Sequence, residues 1–125
     1  MQFKERIPES ISELEDSKGR IALLYADGNN MGELLQRASS PATYRHISEA
    51  LDTAIRESLF EAFVAVFGQK KLIDPENKFP IEIITLGGDD VIVILPGDAG
   101  WGASLKMLKN FSEHPKILEL QREIK

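Results

Sequence analysis

The sequence predicts an α+β fold in which helices cover one face of an antiparallel sheet. Three apolar runs have the length and composition of strands: Ile21–Ala26, Ile81–Leu86 and Val91–Leu95. A long amphipathic segment separates the first run from the second, and a Gly-Gly-Asp-Asp turn separates the second from the third. The order strand, helix, helix, strand, turn, strand, helix is most of a ferredoxin-like split arrangement.

The first strand follows a turn at Lys18-Gly19-Arg20, and its nearly continuous apolar run predicts a central strand buried on both faces. Before that turn, Ile7, Ile11 and Leu14 recur at helical spacing and predict a short docking helix.

After the first strand, Gly28-Asn29-Asn30 predicts a tight turn and Met31–Arg37 a short helix. Ser40 and Pro41 are a good cap and first-turn pair for the long helix that follows, which Gly68 ends. Its predicted buried stripe is Ile47, Leu51, Ile55, Leu59, Ala62 and Val66.

Residues 69–80 are rich in Lys, Asp, Pro and Asn and predict a loop. Beyond the hairpin, a second helix is predicted to bury Trp101, Leu105, Leu108 and Phe111, and a final short helix is predicted at Lys116–Lys125.

The predicted units are an N-terminal helical or linker segment at 1–20, the main domain at 21–113 and a helical tail at 114–125. Because a closing strand is missing from the pattern, we expect a minimal sheet, a continuation beyond residue 125 or a strand from a partner.

Composition narrows the functional classes. The 125 residues are 42% hydrophobic and carry a net charge of −5 with a pI near 5.1, which argues against broad electrostatic binding of nucleic acid. The absence of cysteine excludes disulfides, thiol nucleophiles and cysteine zinc sites. Without a signal-peptide core or a bilayer-length apolar run, a cytoplasmic protein with no membrane partner is expected.

The candidate site consists of acidic residues at the ends of the predicted strands. Asp27 closes the first strand, and Asp89 and Asp90 lie in the turn between the other two. These carboxylates and the Gly28 carbonyl are the hard oxygen ligands that Mg²⁺ or Mn²⁺ requires. The alternative is that each Asp only forms a turn, as Asp and Gly commonly do.

A nucleotide is the expected ligand of such a site. Gly87 and Gly88 lack side chains where phosphates or a base would approach, and Asn29, Asn30 and Met31 could present helix-start amides to a triphosphate. Helix capping alone explains the second segment equally well. His46 and His114 have no evident catalytic partner and are predicted to be surface residues, and Trp101 is predicted to lie in the core.

Two motifs, Tyr25-Ala26-Asp27-Gly28-Asn29-Asn30-Met31-Gly32 and Leu86-Gly87-Gly88-Asp89-Asp90-Val91-Ile92-Val93, carry a family resemblance. Their order and spacing, over residues from about 20 to 112, resemble the palm domain of the large subunit of type III CRISPR effector complexes, a relative of GGDEF cyclases, adenylyl cyclases and polymerases.

The resemblance implies a ferredoxin-like palm that binds ATP with Mg²⁺ or Mn²⁺ and joins AMP units into cyclic oligoadenylates. Asp27 and Gly28 would be metal ligands, and Asp89 and Asp90 would be both metal ligands and the catalytic acidic tip. A second palm, supplied by homodimerisation, by a larger chain or by a complex, would have to face this one. The alternatives are a nucleotide-sensing module without turnover and a structural assembly module whose acidic motif is a remnant.

Overall fold

The computed structural model describes residues 3–27, 36–87 and 90–124. Across these residues the chain forms a three-stranded antiparallel sheet whose helices pack on one face, as predicted. The strands are β1 (Ile21–Asp27), β2 (Glu82–Gly87) and β3 (Asp90–Pro96). The helices are α1 (Pro41–Phe67), α2 (Gln69–Ile73), α3 (Gly97–Ser112) and α4 (Pro115–Ile124), and two short 3-10 helices, Phe3–Arg6 and Ile11–Leu14, precede β1.

The strand order is β1-β3-β2, and both pairings are antiparallel. In β3, Val91, Val93 and Leu95 are buried on the helix-covered face, and the residues between them face the opposite side. In the described part of the chain β1 is therefore an edge strand. The prediction of a central strand buried on both faces was wrong, because β1 alternates between the core and the open side.

The long helix agrees with its sequence signals. Its first turn is capped by Ser40, whose Oγ accepts a hydrogen bond from the backbone N–H of Thr43 at 3.1 Å. The predicted stripe is buried from Ile47 to Ala62, with Val66 half-buried. Gly68 ends the helix at a φ of 86°, a conformation that favours glycine. The predicted loop at 69–80 was partly wrong, because Gln69–Ile73 form α2 and bury Leu72 in the core.

Helix α3 packs against the sheet through small residues. A Cβ at Gly100 would overlap the Cβ of Ala22, so the helix backbone lies directly on β1. Its buried residues are Ala99, Gly100, Ala103 and Met107. The predicted stripe was therefore wrong for three members, because Trp101, Leu105 and Leu108 are 78%, 52% and 67% exposed, whereas Phe111 is half-buried against the core.

Helix α4 closes a second part of the core. Ile117 and Leu120 pack on the N-terminal half of α1, and His114, at the junction between α3 and α4, is only 8% exposed. His114 Nε2 contacts Glu57 Oε2 of α1 at 2.7 Å, and its Nδ1 accepts the backbone N–H of Lys116 at 3.1 Å. The prediction that His114 is a surface residue was wrong. None of the helices in the described ranges is long and apolar enough to cross a bilayer.

Candidate functional site

The two described carboxylates of the candidate site lie in one row across the sheet. Asp27, the last residue of β1, pairs in register with Asp90, the first residue of β3, and Asp90 also pairs with Gly87, the last residue of β2. Residues opposite each other in antiparallel strands have Cα atoms about 4.5–5.5 Å apart and side chains on the same face. We call Asp27, Asp90 and Gly87 the carboxylate row.

The carboxylate row lies on the face of the sheet that the helices do not cover. Ala22, Leu24 and Ala26 of β1 pack into the helix-covered core, so Asp27 and every second residue before it face the other way. Asp27 is exposed, and Asp90 is half-buried. The row is therefore at least partly accessible on the open face of the sheet.

Other predicted site residues lie outside the described residues: Gly28, Asn29, Asn30, Met31, Gly88 and Asp89. Most of the predicted helix Met31–Arg37 lies there as well. Among the residues that the structure describes, no group of three or more His, Asp or Glu side chains could hold a metal ion. Of the predicted metal ligands, the structure describes Asp27 and Asp90, two carboxylates at adjacent strand ends.

The end of β2 beside this row is connected to α1 by an arginine. Arg56 Nη2 donates to the Leu86 carbonyl at 3.5 Å, and its Nε donates to Asp52 Oδ2 at 2.9 Å. Leu86 directly precedes Gly87, so Arg56 helps to fix the end of β2 next to the carboxylate row. Arg56 could not be predicted from local sequence patterns, because its partner Leu86 is 30 residues away along the chain.

A capped turn holds the opposite end of β1. Asp16 Oδ1 accepts the backbone N–H groups of Lys18 and Arg20, each at 2.9 Å, and Gly19 takes a φ of 74°. These amide hydrogen bonds, above all the one from Arg20, lower the pKa of the Asp16 carboxyl group, and the adjacent guanidinium acts in the same direction. The Arg20 carbonyl in turn accepts the N–H of Gly97, so this turn anchors both β1 and the start of α3.

An apolar groove of about 850 Å³ lies on the helix-covered side of the sheet, between α1 and the edge strand β2. Its apolar lining includes Phe60, Phe63, Ile73, Phe79, Ile83 and Leu86. Arg6 stacks its guanidinium on the Phe79 ring at 4.1 Å and donates to the Leu72 carbonyl at 2.6 Å, which fixes one wall. Sequence reasoning missed the groove, because its lining comes from four separate segments. Phe60 is an apolar residue of α1 outside the predicted buried stripe, and this position was the one sequence feature that could have indicated the groove.

The arrangement of the carboxylate row suits a hard divalent cation. Two carboxylates that face each other across neighbouring strands repel unless a cation lies between them, and Mg²⁺ and Mn²⁺ take oxygen ligands of this kind. A metal held there could bind the phosphates of a nucleotide, since Mg²⁺ sites commonly use one or two carboxylates together with substrate phosphates.

Comparison with known proteins agrees with the arrangement of the sheet and helices. A protein-family model described as Cas10/Cmr2, second palm domain, matches residues 20–123. No significant match was found among curated proteins or among solved structures. The match covers the whole sheet and the helices from α1 to nearly the end of α4, and it confirms the predicted resemblance to the palm domain of the type III CRISPR effector large subunit. The chain belongs to the Cas10/Cmr2 second palm domain family.

Proposed function

We propose that this palm domain binds ATP together with Mg²⁺ or Mn²⁺ and takes part in the synthesis of cyclic oligoadenylates. The observation that carries the proposal is the register pairing of Asp27 with Asp90 on the open face of the sheet. Membership of the palm family supports a nucleotide-related function, and the paired carboxylates supply the oxygen ligands that a metal–nucleotide complex requires.

Each residue of the acidic motifs has a role in this proposal. Asp27 and Asp90 would hold the metal, with Asp89 and the Gly28 carbonyl as further ligands. A bound divalent metal supplies positive charge that stabilises the transition state of phosphoryl transfer. Gly87, which presents no side chain beside Asp90, leaves room for the phosphates.

The proposed reaction joins two nucleotides. The 3′-hydroxyl oxygen of one nucleotide attacks the α-phosphorus of an ATP, the bond from that phosphorus to the bridging oxygen breaks, pyrophosphate leaves, and the hydroxyl proton passes to water. The carboxylate row is open on the side away from the helices, so a second palm, from another copy or from a larger assembly, could present the attacking nucleotide there. Alignment of the two reactants lowers the activation barrier of such reactions by a large amount.

The test is metal-dependent binding followed by product analysis. We expect Mn²⁺ plus ATP, at about 100 times the dissociation constant, to raise the free energy of unfolding by about 2.7 kcal/mol. That corresponds to a rise of on the order of 10 °C in the unfolding temperature. The Asp27→Ala/Asp90→Ala variant should lose the shift. A matched control is Asp98→Asn, because Asp98 is an exposed carboxylate at the start of α3, near the opposite end of β3.

Prolonged incubation with ATP and mass spectrometry would then identify cyclic products. A shift in unfolding temperature of equal size in the parent and in the double variant would refute the assignment of the site to Asp27 and Asp90. Binding without products at any protein concentration would instead support the alternative, a nucleotide-sensing module without turnover. This alternative is favoured by the fact that one palm contributes a single carboxylate row among its described residues. The structural assembly alternative is favoured by the exposed Trp101, Leu105 and Leu108 stripe and predicts no shift in either protein.

A further inference from the structure

The open face of the sheet carries a second row directly beside the carboxylate row. Tyr25 of β1 pairs in register with Ile92 of β3, which pairs with Thr85 of β2. Residues two positions apart along a strand share a face and are about 6.6–6.8 Å apart. Tyr25, Ile92 and Thr85 therefore lie one step from Asp27 and Asp90 on the same surface. We call these three residues the tyrosine row.

The tyrosine row is neutral and accessible. Tyr25 is 59% exposed, Thr85 is exposed and Ile92 is half-buried. A large aromatic ring on a strand normally turns its face into a core, whereas this ring lies on the side that the helices leave uncovered. The tyrosine row thus offers a floor that has the aromatic Tyr25 at one edge of the sheet, Ile92 in the middle and the Thr85 hydroxyl at the other edge.

Charge decides which part of a nucleotide fits each row. The carboxylate row accepts phosphates only through a cation, because Asp27 and Asp90 would otherwise repel them. The row beyond the tyrosine row contains Leu23, Ile94 and Glu82, and exposed Glu82 would repel phosphates there as well. The neutral tyrosine row between two acidic rows suits the uncharged part of the ligand, namely its base.

We propose that Tyr25 is the stacking platform for the base of a nucleotide whose phosphates are held at the carboxylate row, with Ile92 and Thr85 completing the floor. This inference rests on the proposed function. Tyr25 is a positioning residue. Its ring holds the base over the open face of the sheet, so the bound nucleotide extends from the metal across that face and not outward past the strand ends. Stacking of a base on an aromatic side chain tolerates any base, so this contact by itself selects nucleotides over inorganic phosphates.

The experiment compares two ligands that share their phosphates. Equilibrium binding of ATP and of inorganic tripolyphosphate, each with Mn²⁺, is measured on the parent chain and on Tyr25→Leu and Tyr25→Phe. Tyr25→Leu should weaken ATP binding about tenfold, because a stacking contact is lost, and leave tripolyphosphate binding unchanged. Tyr25→Phe should retain ATP binding, since the ring face is kept.

Tyr44→Leu is the matched control. Tyr44 is the other tyrosine of the chain, is 50% exposed and lies near the start of α1, away from the open face. Its substitution should change neither affinity. Asp27→Ala/Asp90→Ala should abolish the binding of both ligands.

Three outcomes would overturn the inference, and they differ in what else they affect. If Tyr25→Leu weakens both ligands equally, Tyr25 supports the fold of the site and does not contact the base. If it weakens neither, the base lies elsewhere. In both cases metal-dependent ATP binding by the parent would leave the proposed function standing. If the parent binds neither ligand, the proposed function fails and the inference fails with it.

Discussion

Asp27 of β1 and Asp90 of β3 are register partners at the ends of two adjacent antiparallel strands, with their carboxylates on the open face of the sheet. Like charges directly opposite each other destabilise a strand pair by a few tenths of a kcal/mol up to about 1 kcal/mol. A cation that lies between the two carboxylates reverses this effect. The proposed metal binding and the stability of the metal-free fold are therefore opposed at this position.

Asp27→Asn should consequently change stability in opposite directions with and without ligand. In EDTA the variant should be more stable than the parent by about 0.5 kcal/mol, because one of two facing charges is removed. With saturating Mn²⁺ and ATP the parent should become the more stable protein, because the variant lacks a carboxylate of the proposed metal site. Urea unfolding under both conditions measures this. A variant that is less stable than the parent in EDTA would show that Asp27 has a stabilising role in the apo fold.

Substitution by alanine should change the free energy of unfolding in opposite directions at two glycines of α3. Gly100→Ala would place a Cβ on Ala22 of β1, and relieving that overlap should cost about 1–3 kcal/mol, more than the gain in helix propensity of up to about 1 kcal/mol. At Gly102 the nearest atom to an added Cβ is Val66 Cγ2 at 3.8 Å, an ordinary contact. Gly102→Ala should therefore raise stability by about 0.5 kcal/mol.

The comparison requires only chemical unfolding of the three proteins. Gly100 and Gly102 are two residues apart in one helix, so the gain in helix propensity is similar at both. The difference between the two changes in unfolding free energy therefore reports the contact of α3 with β1. Equal effects at both positions would contradict the close approach of α3 to β1.

The turn before β1 should make stability depend on acid pH. Hydrogen bonds to the ionised Asp16 carboxyl group, above all the one from the Arg20 backbone N–H, lower its pKa in the folded state below the usual value for aspartate. A group whose folded pKa is depressed stabilises the fold above its unfolded pKa and loses that contribution as the pH falls through the folded pKa. We expect the Asp16 contribution to be complete above about pH 5 and to be lost on further acidification.

Asp16→Asn should flatten this part of the pH profile, because the amide oxygen still accepts the two backbone N–H groups but no longer titrates. Unfolding midpoints of parent and variant should differ at pH 6 and converge toward pH 2. The hydrogen bond from Lys78 also lowers the pKa of Glu13, so Glu13→Gln should flatten the same region by its own amount. Parallel profiles for Asp16→Asn and the parent would contradict the assignment.

Local signals predicted the elements of this fold well. The Ser40 cap, the Gly68 stop and the α1 stripe depend on residues within a few positions of each other, and all three are confirmed. The antiparallel pairing of β2 with β3 agrees with the hairpin predicted from the sequence, and because β1 pairs on the other side of β3, Asp27 is the register partner of Asp90.

What the sequence could not predict depends on contacts between distant residues. Helical periodicity shows that α3 has an apolar face but not that a second face of Ala and Gly packs on Ala22. The burial of His114 depends on Glu57, which is 57 residues away. The roles predicted for Asp89 and for the segment from Gly28 to Met31 remain predictions, since these residues lie outside the described ranges.

Trp101 provides the sharpest check of the orientation of α3. It is the single tryptophan of the chain and is 78% exposed, although its spacing with Leu105 and Leu108 is typical of a buried stripe. We expect its fluorescence to be as red-shifted as that of free tryptophan in water and to be quenched readily by acrylamide. Trp101→Ala should change the free energy of unfolding by no more than about 0.5 kcal/mol, as for other surface substitutions.

Phe63→Ala is the contrasting variant, because Phe63 is 2% exposed and lies in the main core. It should cost about 3–5 kcal/mol. A blue-shifted, poorly quenched Trp101 in a monomer would mean that α3 is rotated about its axis relative to this structure. If the emission instead shifts to the blue with rising protein concentration, the stripe of Trp101, Leu105 and Leu108 is covered by a second copy. Sedimentation analysis of the parent and of Trp101→Ala separates these two results, because only self-association would be weakened by the substitution.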